Sequence, residues 1–243
     1  IINDSKIINN NEKIYVKTGT PTGIVMVGGP GSGKSSAQVG CLKTLDCADD
    51  ACIQDTTTNE SELGMSKLYS KFVHLDPDHI LTNLFENNNK CRGIVNIIND
   101  LNFEQALKFK KNLIFDGTGK DYKWTREGVI EKLKIAGYSV ILCINLLPSN
   151  KAWGRIEARR GETGRGMGKT FMKDTYKKIK ESIPKYLNID PKLLDTIYIW
   201  DNNVEYGKSA NLIMYRNGNE WKCDRKNMEK FKKTYDGYGM CNK

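Results

Sequence analysis

Histidine is scarce in this chain, and paired-cysteine motifs are missing. It has two histidines in 243 residues and seven cysteines (41, 47, 52, 91, 143, 223 and 241) without C-x-x-C spacing, which supplies no ligand set for a structural zinc ion. An odd, scattered set of cysteines does not read as a disulfide framework, so a reduced intracellular compartment is the simplest expectation. There is also no long hydrophobic run. The longest, Val140 to Leu147, is broken by Asn145 and is far too short to cross a bilayer, so no membrane is expected as a partner. No secretory signal stands at the N-terminus. The chain begins with Ile1 and not Met, and so reads as a trimmed product of a longer protein. No internal repeat is evident.

Charged residues at 28% and aromatics at 9% are ordinary for a globular protein, and the length suits one α/β domain with appendages. The net charge of +9 suits an anionic ligand and leaves nucleic acid open as a partner, although a solvated lysine-rich surface would carry the same charge.

The most informative segment is Ile24-Val25-Met26-Val27 followed by Gly28-Gly29-Pro30-Gly31-Ser32-Gly33-Lys34-Ser35-Ser36. A short β-type run here enters G-x-x-x-x-G-K-S, and the stretch after it, Lys34 to Leu45, is helix-compatible. Glycines let consecutive backbone N–H groups curl around phosphate oxygens. Lys34 can reach the β- and γ-phosphates, and the Ser35 hydroxyl can hold magnesium. The following helix turns its positive end toward the same anion.

Strands are expected at 24–27, 71–75, 112–115, 139–144 and 196–200, most of them apolar throughout, as in a parallel sheet covered on both faces. Helices separate them. Ile94, Ile97, Ile98 and Leu101 have the spacing of an apolar helix face, and Asn102 with Gln105 suggests a restart or kink there. A later helix should carry Met172, Tyr176, Ile179 and Ile183 on one face and stop at Pro184. Together these predict a three-layer α/β/α fold with a mainly parallel five-stranded sheet. Residues 46–66 read as a long polar loop. Residues 211–215 and 220–223 around Asn217-Gly218 read as a small C-terminal hairpin with a type I′ turn, followed by a basic tail that a solvated helix face explains.

Three groups of residues carry candidate chemistry. Asp76 and Asp78 follow the second strand, at the carboxyl edge where open α/β sheets bind ligands. Asp76 is also a good N-cap and Pro77 a good first helical residue, so Asp78 is the stronger candidate base and Asp76 the second. His74 and His79 are given no catalytic part. The strand at 112–115 ends in Asp116-Gly117-Thr118, a Walker-B-like carboxylate placed to organise magnesium, although Asp-Gly is also a common turn pair. Finally, Arg155 and Arg159 lie four apart on an expected helix, with Arg165 beyond it among Gly161, Gly164, Gly166 and Gly168. Arginines on a glycine-hinged segment suit a lid over phosphates, and one such group can contribute about 10³–10⁵ in rate. Trp124, Tyr122 and Tyr138 are explained by packing.

Taken in order, G-G-P-G-S-G-K-S-S at 28–36, D-P-D at 76–78, F-D-G-T at 115–118, G-Y-S-V-I-L at 137–142, R-x-x-x-R at 155–159, T-G-R at 163–165 and W-D-N at 200–202 resemble the zeta-toxin-like P-loop kinases. That group is related in layout to polynucleotide kinases. The resemblance covers about residues 20–223. The pattern along the chain divides it into an N-terminal extension at 1–20, a P-loop kinase domain at 21–203 and a hairpin with basic tail at 204–243. The resemblance implies ATP or GTP as donor, magnesium, and transfer of the γ-phosphate to a hydroxyl of a small-molecule or nucleotide-type acceptor. By position, residues 28–36 cradle the donor, Lys34 and Ser35 serve it, and Asp78 is the base. Arg159 and Arg165 neutralise the transferred group, and Asp116, Thr118 and Arg155 face the substrate. Many relatives carry Arg or Lys three residues after the base, where this chain has Leu81, and Glu where it has Asp116. A 5′-hydroxyl polynucleotide kinase and a catalytically silent nucleotide-binding component of a larger assembly are the alternatives.

Overall fold

The computed structural model describes residues 7–9, 12–14, 20–45, 70–163, 166–205 and 208–223. The expected loop at 46–66, Arg165 and the basic tail beyond 223 lie outside them. Two short antiparallel strands, β1 (Ile7–Asn9) and β2 (Glu12–Ile14), form a ribbon within the expected N-terminal extension.

The central sheet is built from β3 (Thr22–Val27), β4 (Val73–Leu75), β5 (Leu113–Asp116), β6 (Ser139–Leu146), β7 (Thr196–Asp201), β8 (Asn211–Asn217) and β9 (Glu220–Cys223). Its order is β4-β5-β3-β6-β7-β8-β9, with the first five strands parallel and the last two antiparallel. The sheet therefore has seven strands and not five. The C-terminal hairpin is no appendage: β8 pairs with β7 and extends the sheet. Its turn is also displaced by one residue. Asn217 pairs with Glu220, which puts Gly218 first in the two-residue loop with φ +56°, the position that a glycine-first hairpin turn requires.

Helices cover both faces, as the apolar strands demand. Along β6, Val140, Leu142, Ile144 and Leu146 face one core, while Ile141 and Cys143 face the other. The second core is closed by α1 (Lys34–Leu45), where Cys41 is joined to Cys143 by a disulfide and accepts a hydrogen bond from Trp200 Nε1 at 3.2 Å. These two cysteines thus depart from the expectation of reduced thiols, whereas Cys91 is free.

The first core lies under α3 (Arg92–Lys108) and α7 (Lys169–Leu187). The helix α3 runs unbroken through Asn102, and it buries Val95, Asn99, Phe103 and Ala106. Ile94, Ile97 and Leu101, the face expected to be inside, are more than half exposed. The helix α7 also continues past Pro184 to Leu187, burying Met172, Ile179, Ile183 and Tyr186. Among the described residues the remaining helical segments are α2 (Pro77–Phe85), a 3-10 turn (Asn89–Cys91) leading into α3, α4 (Tyr122–Thr125), a π turn (Arg126–Ile130) running into α5 (Glu131–Ile135), and α6 (Ser149–Thr163).

Candidate functional site

The loop between β3 and α1 is shaped by bonds to its carbonyls. Gly31 and Gly33 have φ of +72° and +79°, a conformation that side chains strain to adopt. Ser32, itself buried, gives its carbonyl to two carboxamides, Asn145 Nδ2 at 2.8 Å and Asn202 Nδ2 at 2.5 Å. Tyr176 of α7 donates to the Pro30 carbonyl at 3.0 Å, and burial pushes its phenol up from the usual range. The Gly28 N–H donates to Thr118 O at 3.2 Å, which ties the loop to the end of β5. With its carbonyls held from outside, the loop leaves the first N–H groups of α1 for an anion.

Lys34 folds back over this loop. Its Nζ donates to Gly28 O at 3.3 Å and stands 3.6 Å from Asp116 Oδ1. Gln38, one turn along α1, donates to Asp116 Oδ2 at 3.3 Å. Ser35 is exposed at the helix start, and Ser36 Oγ accepts from the Ala210 N–H at 3.2 Å. The Asp116 carboxyl is pushed up from the usual aspartate range chiefly by burial; Lys34 opposes this, and the charges of Asp76 and Asp78 add to it. Three carboxylates from the ends of β4 and β5 therefore share one neighbourhood with Lys34. Asp76 caps α2, its Oδ1 accepting the Asp78 N–H at 2.8 Å. Asp78, in the first turn of α2, takes Arg92 NH1 on its Oδ1 at 2.8 Å. His74 and His79 are both exposed.

The arginine helix lies on the other side of the loop. Arg155 donates to the carbonyls of Asn202 at 3.0 Å and Val204 at 2.9 Å, which fastens α6 to the chain after β7. Arg159 is one turn further along, and Arg160 donates to Met167 O at 2.6 Å across the glycine-hinged segment. A cleft of about 440 Å³ opens beside the loop, lined by Gly33, Ser36, Arg155, Trp200, Asn202 and Lys208. A second, of about 550 Å³, lies by Gly29 and Tyr176, with Lys173, Lys177 and Lys180 at its wall.

Five residues of this arrangement were not singled out from the sequence as site residues: Gln38, Arg92, Asn145, Tyr176 and Asn202. Asn145 left a signal, as the one polar residue in the apolar run of β6, and Asn202 stands in the W-D-N triplet. Arg92, fourteen residues from its carboxylate partner, left none.

The model of the Zeta toxin family matches residues 6–210. No curated protein matches the sequence. Among solved structures, the AvrRxo1-ORF1:AvrRxo1-ORF2 complex with sulphate ions superposes at a TM-score of 0.60 and 14% identity, over 91% of this chain and 66% of that one. The same complex with ATP gives 0.60 and 14% over the same shares. This chain thus spans about two thirds of the length of these neighbours. A structure from the PezAT chromosomal toxin–antitoxin system of the human pathogen Streptococcus pneumoniae gives 0.53 and 13% identity, over 76% of this chain and 68% of that one. At such identities the structures establish a shared fold, the three-layer α/β/α sandwich. The family model extends from the N-terminal ribbon to the threshold of β8 and takes in the phosphate loop and every carboxylate gathered around it, so this chain belongs to the zeta toxin family.

Proposed function

We propose that the protein is a magnesium-dependent phosphotransferase that moves the γ-phosphate of ATP or GTP to a hydroxyl of a small-molecule or nucleotide-type acceptor. The observation that carries this reading is the placement of Lys34 between the phosphate loop and Asp116, with Asp76 and Asp78 within electrostatic reach. A donor-side cation and candidate acceptor-side carboxylates meet at one sheet edge. The ATP bound in one structural neighbour agrees with a nucleotide in this loop.

The residues fit a magnesium ion held jointly with phosphate. Asp116 Oδ1 is buried and has no hydrogen-bond donor. No cluster of three ligating side chains exists among the described residues. That suits an ion that keeps waters and phosphate oxygens as most of its ligands, with Ser35 and Asp116 as the protein's share. When bound, magnesium would neutralise charge on the β- and γ-phosphates.

In the transfer itself, the acceptor oxygen bonds to the γ-phosphorus as the bond from that phosphorus to the β–γ bridging oxygen breaks, and the nucleoside diphosphate leaves. Asp78 accepts the proton of the hydroxyl, with Asp76 as the second carboxylate. Lys34 and the loop N–H groups take up negative charge on the phosphates, with Arg159 and Arg165 on the transferred group. Arg155, Asn202 and Lys208 line the cleft beside Gly33 and Ser36, which suits the base and ribose of the donor. Thr118 and Asp116 face the acceptor. The toxin–antitoxin assembly of one structural neighbour makes a protein partner a reasonable extension of the same reading.

The test is incubation with magnesium and γ-labelled ATP or GTP against nucleosides, nucleotide-sugars and 5′-hydroxyl oligonucleotides. A labelled acceptor with wild-type protein, absent with Lys34→Ala and reduced at least a hundredfold with Asp78→Asn, is the expected result. Nucleotide binding without transfer or hydrolysis would assign the chain to a silent binding role.

A further inference from the structure

Two asparagines converge on one carbonyl. Asn145 stands near the end of β6 and Asn202 directly follows β7, so adjacent parallel strands bring them together. Each is buried and donates its Nδ2 to Ser32 O, at 2.8 Å and 2.5 Å. Both lone pairs of that carbonyl are thereby filled. The Oδ1 atoms of the same two asparagines are buried without a hydrogen-bond donor, which opposes folding. A network serving stability alone would pair those acceptors.

The peptide after Ser32 explains the arrangement. A trans peptide points its C=O and its N–H in opposite directions, so holding Ser32 O outward aims the Gly33 N–H into the phosphate loop. Among the described residues no backbone carbonyl accepts the Gly33 N–H, whereas the Ser32 N–H is taken by Gly29 O at 3.1 Å. Gly33 has φ +79°, and a glycine adopts either sign of φ. Without a restraint this peptide could flip and turn the Ser32 carbonyl inward, against a phosphate. Gly33 also leaves the room that the restraint needs, since a Cβ there would collide with Asn202 Nδ2.

We infer that Asn145 and Asn202 are positioning residues that lock the Ser32–Gly33 peptide with its N–H toward the donor phosphates. This rests on the nucleotide-binding part of the proposed function and is independent of the acceptor. Locked, every molecule has a competent loop; a flipped fraction weakens nucleotide binding in proportion. Either asparagine alone still occupies the carbonyl, so the lock is redundant and only loss of both frees the peptide.

The test is calorimetric titration of the full chain with magnesium-ADP, beside carbonyl-carbon NMR of Ser32 in the nucleotide-free protein. Asn202→Asp keeps the side-chain shape but sets a carboxylate against Ser32 O, which favours the flipped peptide. ADP should then bind about thirtyfold more weakly than to wild type at about pH 8. That ratio should shrink about fivefold or more toward about pH 5, where the introduced carboxyl gains a proton and donates to Ser32 O again. The Ser32 resonance of this variant should move over the same pH range while that of wild type stays. Should the variant not fold, Asn145→Ala/Asn202→Ala should weaken ADP binding about tenfold or more, with each single alanine variant within about twofold of wild type. A purely structural pair would lower the melting temperature and leave the ADP affinity of the folded protein unchanged. That result, a loss independent of pH, an unmoved Ser32 resonance, or single effects that multiply to the double would overturn the inference. Wild-type protein that binds no ADP would overturn the nucleotide reading instead, and the Ser32 resonance would still decide the lock.

Discussion

Burial pushes the Asp116 carboxyl up, Lys34 draws it back, and Asp76 and Asp78 push it up again; burial is the largest of these. A carboxyl raised in this way binds its proton more tightly folded than unfolded. Its favourable contribution is full below the ordinary aspartate range and is lost as pH rises through the folded value, so at pH 7 the ionised group costs stability. Asp116→Asn should therefore raise stability at pH 7 by about 1 kcal/mol, or about 2–4 °C in melting temperature, while abolishing transfer. The gain should shrink as the pH is lowered toward 4, and scanning calorimetry over that range checks it. Tyr176→Phe removes one hydroxyl bond to the Pro30 carbonyl. A net hydrogen bond of about 1 kcal/mol that the fold makes without nucleotide is lost from stability, so the melting temperature should fall by about 2–4 °C, as a thermal melt would read. Lys34 and Asp116 were legible in the sequence because a motif and a strand end mark them. Tyr176 and Asn202 were not read as site residues, since what they do depends on which carbonyl they reach, and only the folded chain brings that carbonyl to them.

Two elements differ from their sequence patterns for a common reason: periodicity reports which residues are apolar, while the neighbouring elements decide which side is covered. In α3 the isoleucine face is outside, and Phe103 packs edge-on against Phe115 of β5 at 5.6 Å between ring centroids. Ile97→Lys should accordingly change stability by less than about 0.5 kcal/mol, whereas Phe103→Ala should cost about 3–5 kcal/mol, both read by denaturant unfolding. The hairpin is the second case. Ile213 and Met214 of β8 belong to the first core, and Arg216, buried beneath Trp221, donates to the carbonyls of Ile189 at 2.8 Å and Leu194 at 3.1 Å. A chain ending at residue 207 should therefore fail to fold as a monomer, losing its cooperative unfolding transition and its monomer peak in size-exclusion chromatography. A detachable appendage would leave both unchanged. The strands themselves were read well, because runs of apolar β-formers such as 139–144 fit few other structures.

At the scale of the molecule, the sheet places one site at one edge, since the loop after β3 and the acids after β4 and β5 lie at the carboxyl ends of adjacent parallel strands. Binding there should be felt throughout the fold. At a hundredfold excess over its dissociation constant, magnesium-ATP should stabilise the protein by about 2.7 kcal/mol, several degrees in a thermal melt, and Lys34→Ala should remove the shift. The sequence by itself determined the α/β/α class, the phosphate loop, the order of the parallel strands along the chain and the acids at their ends, because each depends on local chemistry: glycine torsions, apolar runs and strand-terminal carboxylates. Tertiary structure alone decided that the hairpin completes the sheet, that α3 turns its isoleucines outward, that two asparagines grip the Ser32 carbonyl, and that Arg92 finds Asp78. Those outcomes join residues distant in sequence, and their energies exist only once the intervening elements have packed.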